Sequence, residues 1–429
     1  RIELSLGRPA GALGEDIVKF MEDVNPPNLG SFWRNRQTGW RLLKIRPKNT
    51  RRALSQQVVR EPQLDELPIL KCWPEDGGRF FTLPLVMSRD PKTGAGNMGM
   101  YRMQMYDERT TGMHMQIQKG GGFHYQIAEK MGKPLEMAVA VGGDPSLILA
   151  AIMPLPEGLD EVAFSGIVRG QRTPLTKAKT IDMKVPAHAE FVFEGVLRPR
   201  VRRLEGPFGD HFGHYSAAGD HPVFEITRMT HRKNAIYPAT VVGRPPQEDR
   251  YLGDAAQLAL TPLMRILRKE VKDMWAYYEA GFHNLLVVSV DPRYQREPIK
   301  TAMGLLGEGQ LSLTKNLILV GPDVNPRNYS QVMQAIRRNF DPEQDFHLLA
   351  RTAADTLDFT GEALHKGSKM ILDATGGSLG EGDRTAVALP ANISAIASGI
   401  IKHRLVGKTM LVVQTGGGGR EIIQKLVDN

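Results

Sequence analysis

Glu205 and Asp210 lie five residues apart in Leu-Glu-Gly-Pro-Phe-Gly-Asp-His-Phe-Gly at 204–213, around a turn that Gly206, Pro207 and Gly209 can form. Two carboxylates at the ends of a tight turn can sit close enough to repel, so that one stays protonated near neutral pH while the other is ionised. Such a pair can hold and deliver a proton. The same residues also suit a surface turn, because Asp and Gly are common turn formers, and the rest of the chain has to decide between the two readings.

Upstream, Asn-Met-Gly-Met-Tyr-Arg at 97–102 runs into Met103, Gln104 and Met105, alternating apolar and polar side chains as a strand does. Asn97 offers a hard oxygen ligand or a donor, and Arg102 a bidentate fork for a carboxylate. Residues five apart in a regular strand point to opposite faces. A bulge at Gly99, or placement of Asn97 in the loop after Thr-Gly-Ala-Gly at 93–96, is needed for them to share a site. The segment 113–124 sets Gly120, Gly121 and Gly122 between a strand and a helix over 125–131. Backbone N–H groups at a helix start, with Lys119 beside them, suit an anion such as phosphate; a flexible turn has the same composition. Asp160 and Glu161 follow Pro-Leu-Pro-Glu-Gly at 154–158 and open a helix, a position where acids are common for the helix dipole. His211, His214 and His221 match no standard zinc spacing.

A folded core must carry these segments, and the chain is large enough for one. Its 429 residues, 41% hydrophobic and 24% charged, suit two or three soluble globular domains. No apolar run approaches the ~20 residues of a membrane helix. The start, Arg-Ile-Glu-Leu-Ser-Leu-Gly, lacks the apolar core of a signal peptide, and a cytoplasmic location is the expectation. The chain opens on Arg1 rather than Met, which suggests an incomplete N-terminal region. The single cysteine, Cys72, excludes intramolecular disulfides and a multi-cysteine zinc site. The net charge of +8 concentrates in 34–60, where nine Lys or Arg and no acid occur, with Trp33 and Trp40 beside and among them. Single-stranded nucleic acid can bind such a run, but no RNA-binding or zinc-finger pattern accompanies it. A solvated linker, or a surface for an acidic partner, explains it equally well.

Residues 15–24 read as a helix that Asn-Pro-Pro-Asn at 25–28 breaks. Short β-type runs separated by turn clusters fill 61–250, among them 80–86, 136–141, 190–196 and 223–229. That rhythm suggests a barrel-like or sandwich β domain with helical inserts. A helical stretch over 254–278 reads as a connector. Beyond it, 284–290 and 317–320 are continuous apolar runs of strand length and 328–339 is helical, the pattern of buried parallel strands under covering helices. Gly416 to Gly419 separate an apolar run at 410–413 from a helical 420–427; lacking both P-loop and Rossmann spacing, they read as a hinge.

Taken in order, these motifs resemble those of the UbiD family, reversible decarboxylases that use prenylated FMN. The matching pieces are Leu-Pro-Ile-Leu-Lys-Cys-Trp-Pro at 67–74, Asn-Met-Gly-Met-Tyr-Arg at 97–102, Gly-Gly-Asp-Pro at 142–145 and Pro-Leu-Pro-Glu-Gly at 154–158. Val-Pro-Ala-His-Ala-Glu at 185–190, Leu-Glu-Gly-Pro-Phe-Gly-Asp-His at 204–211 and Gly-Arg-Pro-Pro at 243–246 complete them. The resemblance is strong over 61–253 and weaker through Gly-Phe-His-Asn at 281–284 and Gly-Ser-Lys-Met at 367–370 to Thr375. It implies an α+β multidomain chain: an N-terminal region over 1–75, a flavin reductase-like split β-barrel that binds prenylated FMN over 76–253, a connecting helix over 254–279 and a C-terminal α/β oligomerisation domain over 280–429.

The resemblance also implies roles. Arg102, Glu205 and Asp210 would form the catalytic network, with Arg102 orienting the substrate carboxylate and pairing with Glu205, and Asp210 donating a proton once CO2 has left. An acid with that task needs a raised pKa. Some members carry Glu at the donor position, and Asp is one CH2 shorter. Cofactor contacts would fall to Met100, Tyr101, Arg102, His114, Met115, Gln116, Lys119 and Gly120. Asn97 and Glu161 would bind Mn2+ or Mg2+ at the cofactor phosphate, as oxygen donors suited to either ion. Members with a histidine ligand carry it near the position of Gly120, and here His124 lies four residues later. Carbonyl oxygens near Ala150, Ala151 and Met153 would hold K+. The implied activity is non-oxidative decarboxylation of an aromatic or α,β-unsaturated carboxylic acid by a homodimer or higher oligomer, with a flavin prenyltransferase supplying the cofactor. A catalytically silent flavin-binding paralogue or partner subunit is the alternative within the same fold, and the joint presence of Arg102, Glu205 and Asp210 argues against it.

Overall fold

A computed structural model describes residues 10–24, 46–116, 120–153, 160–361, 363–376, 392–406 and 409–427, together with Glu3, Gly7, Pro9, Gly30, Trp33, Arg36 and Leu155. The main sheet runs Phe80–Phe81, Met103–Met105, Thr110–Met113, Gly219–His231, Phe191–Glu205, Leu135–Val141, Pro84–Arg89, Gly96–Met100, with Val58–Arg60 added beside Gly219–His231. Every pairing in it is antiparallel. Leu135–Val141 is apolar throughout except for the exposed Glu136. Leu135, Met137, Val139 and Val141 enter one core while Ala138 and Ala140 enter the other, so both faces of the strand are buried. The core on the alanine side gathers side chains of Pro145–Ile152, Glu161–Arg169 and Asp249–Leu267. Two of these helices are defined locally: Asp144 caps the first, with Pro145 at its opening turn, and Asp160 caps the second, which ends at Gly170 with φ +70°.

Two short connections give the sheet its shape. Thr82 and Leu83 join the Phe80–Phe81 edge to Pro84–Arg89, and Tyr101 and Arg102 join the opposite edge, Gly96–Met100, back to Met103–Met105. Three Cα steps reach at most ~11 Å. The sheet therefore curls, its two ends drawn toward each other by these short connections. Among the described residues no ladder pairing joins those ends, so the ring is not closed by hydrogen bonds.

The C-terminal part is an α/β layer. Its sheet runs Val271–Ala276, Leu285–Val290, Asn316–Val320, Lys366–Ala374, Phe346–Ala353, with parallel pairing among the three central strands and antiparallel edges. Helix Glu297–Leu306 covers one face and Tyr329–Asn339 the other, each on its own apolar core, as the continuous apolar runs demand. The expected connecting helix over 254–279 is corrected here: the helix is Asp249–Leu267, and Val271–Ala276 is an edge strand. Arg268, Lys269 and Glu270 interrupt the helical apolar spacing, and Val271, Met274 and Ala276 then pack on the sheet core. Helix Ala10–Val24 lies against Asp249–Leu267, where Gly11 and Gly14 let the backbones meet at Leu258 and Ala259. Of the basic run at 34–60, residues 34, 35 and 37–45 lie outside the described residues. No described helix is long and apolar enough to cross a membrane.

Candidate active site

The crossing at Tyr101 and Arg102 removes the difficulty posed by the spacing of Asn97 and Arg102. Asn97 belongs to one strand and Arg102 lies beyond its end, so strand alternation does not relate them. Met103 pairs with Met113, and the N–H of His114 donates to the carbonyl of Arg102 at 3.1 Å, which sets these two residues side by side. Glu205 ends Phe191–Glu205 and pairs with Gly219 across the ladder.

The acid loop beyond Glu205 is pinned from two directions. Gln104 Oε1 accepts the Gly206 N–H at 2.7 Å, and Asp76 Oδ1 accepts the Gly209 N–H at 2.8 Å. Asp76 Oδ2 in turn accepts the N–H groups of Cys72 and Trp73 at 3.1 and 2.9 Å, so the motif at 67–74 acquires a job: it anchors the carboxylate that holds the loop. Gly206 sits at φ +91°, where a side chain is strained.

Arg102 binds both acids at once. Its Nε and Nη2 donate to Glu205 Oε1 and Oε2 at 2.9 and 3.2 Å, its Nη1 pairs with Asp210 Oδ2, and Nη2 also donates to Ser216 Oγ at 2.9 Å. The guanidinium lies over the buried Phe208 ring, 4.7 Å from its centroid. His114 Nδ1 is 3.0 Å from Glu205 Oε2; an ionised carboxylate only accepts, so this nitrogen carries the proton. His221 stacks on His114 with centroids 4.3 Å apart, and its Nε2 is 3.8 Å from Glu205 Oε2.

This arrangement overturns the expectation that mutual repulsion leaves one acid protonated. The guanidinium stands between the carboxylates. Burial alone would raise the fully buried Glu205 carboxyl, but the His114 hydrogen bond and the Arg102 charge outweigh it and hold the group at about 2. Burial also works to raise Asp210; the hydrogen bond and charge of His211 and the charge of Arg102 overcome it and keep this acid below the usual carboxylate range. Without substrate both acids are ionised. His221, desolvated and next to His114, is pushed down to about 4 and stays neutral. Ser216, Gln104 and Asp76 carry no motif signal of their own, His211 closes the 204–211 motif and His221 fits no zinc spacing, and proximity alone identifies the roles of all five.

His114, Glu205 and His221 offer ligand atoms within 4.8 Å of one another. Arg102 Nη2, 3.1 Å from His114 Nδ1, already supplies the cation there. The proposed metal ligands lie elsewhere. Glu161 Oε2 accepts the N–H of Met98, the residue after Asn97, at 2.9 Å. Its carboxyl is raised by burial, only partly offset by that N–H, and among the described residues no Lys or Arg pairs with it. A half-buried carboxylate without a counter-charge, held to the residue after Asn97, fits a hard divalent cation. Gly120 backs directly onto Asn97 Oδ1, leaving no room for a side chain. One turn on, the buried His124 shares a 2.9 Å hydrogen bond with Ser88, which pairs with Asn97 in the ladder. Ala150 and Met153 stand at the end of Pro145–Ile152, where the Ala150 carbonyl accepts the Met153 N–H at 3.3 Å and the Met153 carbonyl the Leu155 N–H at 2.8 Å.

Of the proposed cofactor contacts, His114, Met115 and Gln116 line a cavity of 480 Å³ that Ser216, His221, Thr356 and Leu357 also border. It is walled by the curled sheet on one side and the C-terminal part on the other, and Gln116 Nε2 donates to Thr356 Oγ1 at 3.3 Å. Tyr101 is buried away from it: its hydroxyl is held by Asn97 Nδ2 at 3.3 Å and the Gly121 N–H at 3.1 Å, so its side chain supports the helix start. Met100 packs on the helix-side core. Asn97 opens on a second cavity of 320 Å³, with Ser88, Arg89, Asp160 and Lys184. Lys119 lies outside the described residues.

Two family models match the chain, the 3-octaprenyl-4-hydroxybenzoate carboxy-lyase Rift-related domain over 46–245 and the C-terminal domain of the same enzyme over 250–374. A 4-hydroxybenzoate decarboxylase subunit of Chlamydia pneumoniae is 44% identical over 353 residues, 82% of this chain and 60% of its own length. The chain spans between 60% and 69% of the length of the curated relatives that it matches at 41–45% identity. The vanillic acid decarboxylase of Sedimentibacter hydroxybenzoicus in closed form superposes with a TM-score of 0.76 at 25% identity, covering 94% of this chain and 83% of that one. The UbiD-class enzyme HmfF from Pelotomaculum thermopropionicum, in complex with FMN, shares the fold with a TM-score of 0.72 at 23% identity, covering 92% and 84%. With both models matched in order across the curled sheet and the α/β layer, the chain belongs to the UbiD family of carboxy-lyases.

Proposed function

We propose that this chain catalyses the non-oxidative, reversible decarboxylation of an aromatic or α,β-unsaturated carboxylic acid, using prenylated FMN and a divalent metal. The observation that carries the reading is a single guanidinium shared by two buried carboxylates, a cluster hydrogen-bonded through Ser216 and His114 to the lining of a 480 Å³ cavity. Arg102 can exchange one carboxylate for another at little loss, because its fork binds any of them in the same geometry. A substrate carboxylate that takes the edge now held by Asp210 deprives that acid of its cation and sets a like charge beside it. Both changes raise the Asp210 pKa. Substrate binding thus converts Asp210 from an ionised ion-pair partner into a protonated donor, while Glu205, still held by His114 and Arg102, stays ionised and keeps the fork oriented.

When bound, the prenylated flavin supplies the electron sink for the departing CO2. Met115, Gln116 and His114 would face it from the cavity wall, and Asn97 and Glu161 would hold the metal, Mn2+ or Mg2+. In this reading the curled sheet is the split-barrel flavin domain over 76–253, the region from 280 onward mediates homo-oligomer formation, K+ sits near Ala150, Ala151 and Met153, and a flavin prenyltransferase in the same cytoplasm provides the cofactor. The test is to load the protein with prenylated FMN and Mn2+ and to follow CO2 release and H/D exchange on a panel of such acids. Turnover of at least one is expected. Silence across the panel, with the cofactor shown by mass and absorption spectra to be bound, overturns the proposal.

A further inference from the structure

We propose that His211 is the proton reservoir for Asp210, its imidazolium supplying the proton that Asp210 passes to the product. The inference rests on the decarboxylase reading above and extends it to a residue outside the Arg102, Glu205 and Asp210 set.

Asp210 has its two oxygens divided between two cations. Oδ2 faces Arg102, while Oδ1 receives both the backbone N–H of His211 at 2.8 Å and its ring Nδ1 at 2.7 Å. Gripped twice by one residue, the imidazole has little freedom to turn away, and since an ionised Asp210 only accepts, Nδ1 bears a hydrogen. The surroundings favour the charged ring. Asp210 touches it, and Asp355 and Asp249 add their negative charge. His283 meets it edge-on with centroids 6.1 Å apart, its own Nδ1 2.6 Å from Asp355 Oδ2, and Phe212 lies 5.0 Å away. The opposing influences are burial, the Arg102 charge beyond Asp210, and His283 if protonated. Burial lowers the His211 pKa, but the Asp210 hydrogen bond and charge reverse this and leave it above 6.5. The Asp210 side chain is 12% exposed and that of His211 24%, so solvent reaches the reservoir more readily than the donor.

The proton bookkeeping closes. Substrate takes the Arg102 edge, Asp210 becomes more basic, and the Nδ1 proton moves to Oδ1. The C–C bond to the carboxylate breaks, CO2 leaves, and the electron pair left on carbon forms a C–H bond with the Asp210 proton. The neutral imidazole recovers a proton from solvent, so one carboxylate and one H+ give one C–H product and one CO2. His211 acts through Asp210 and is a positioning residue.

The test uses the full chain with histidines 13C-labelled at the ring. The resonance absent from His211→Gln is expected to titrate above 6.5 in the unmodified protein and to fall by about one pH unit or more in Asp210→Asn. A His211 that titrates at or below 6.5 overturns the inference, whether or not turnover is found. In the loaded enzyme, His211→Gln is expected to lower kcat by about 10²-fold with KM and cofactor content unchanged. The fall in rate as pH rises through the His211 pKa should vanish in that variant, and added imidazole should restore rate to His211→Gly. Wild-type kcat and pH profile in His211→Gln overturn the inference and leave the decarboxylase reading standing. Failure of the unmodified enzyme on every acid removes both.

Discussion

Replacing Glu205 by Gln keeps the shape of the side chain and removes its charge, which makes it the most direct probe of the Arg102 network. A carboxyl brought from 4.5 down to about 2 by its partners reflects about 3 kcal/mol of preferential stabilisation of the charged form. The group is fully buried, so solvent does not screen this away, and breaking a buried pair commonly costs about 3–5 kcal/mol. Glu205→Gln should therefore lose about 3 kcal/mol at pH 7, which for a domain of this size lowers the melting temperature by about 6–12 °C. The pH dependence gives the sharper test. Because the folded pKa is depressed, the contribution is fully present above 4.5 and is lost as pH falls toward about 2. The gap between the two proteins should thus be constant from pH 7 to pH 5 and shrink by about 1 kcal/mol by pH 3.5. Calorimetry of both across that range is the assay. Equal melting temperatures at pH 7, or a gap indifferent to pH, would show that packing rather than charge holds the site and would refute the reasoning.

The same geometry makes three further outcomes testable. Asp210→Asn should keep bound cofactor while substrate H/D exchange drops by about 10²-fold or more; full exchange activity would reject the donor role. Asn97→Ala and Glu161→Gln should each weaken Mn2+ binding to the FMN-loaded protein by at least about tenfold, read by electron paramagnetic resonance, and unchanged Mn2+ affinity in both would place the metal elsewhere. Gly209→Ala puts a Cβ against the Trp73 ring and should destabilise the acid loop by about 1–3 kcal/mol, lowering kcat through a displaced Asp210, and a variant with native stability and rate would show that the loop has slack.

Much of the architecture was legible along the chain because it is set by local spacing. Residues 137–141, 285–288 and 317–320 are continuous apolar runs since both faces of their strands are buried, and Asn328 and Asp160 mark helix starts by capping N–H groups two or three residues ahead. The helix expected to run to 278 was misread for a related reason: Leu258 to Leu267 carry helical spacing, but the conformation beyond Arg268 is decided by a strand some 14 residues later, Leu285–Val290. Spacing cannot register a partner that far along the chain.

The site divides the same way. Residue types alone determined that Arg102 could bind a carboxylate, that Glu205 and Asp210 could exchange protons, and that Asn97 could ligate a hard cation, while a ligand role for Glu161 came from the family resemblance. Only the tertiary structure decided the charge each carries. The two-residue crossing at Tyr101 and Arg102 drops a guanidinium between acids that the turn alone would have left to repel, and His114 and His211 complete the balance from different loops. Coulomb energies depend on distance through space and on the local dielectric, neither of which is written in the order of residues. The expected raised pKa of Asp210 therefore becomes a lowered one, and its proton is assigned to the histidine beside it.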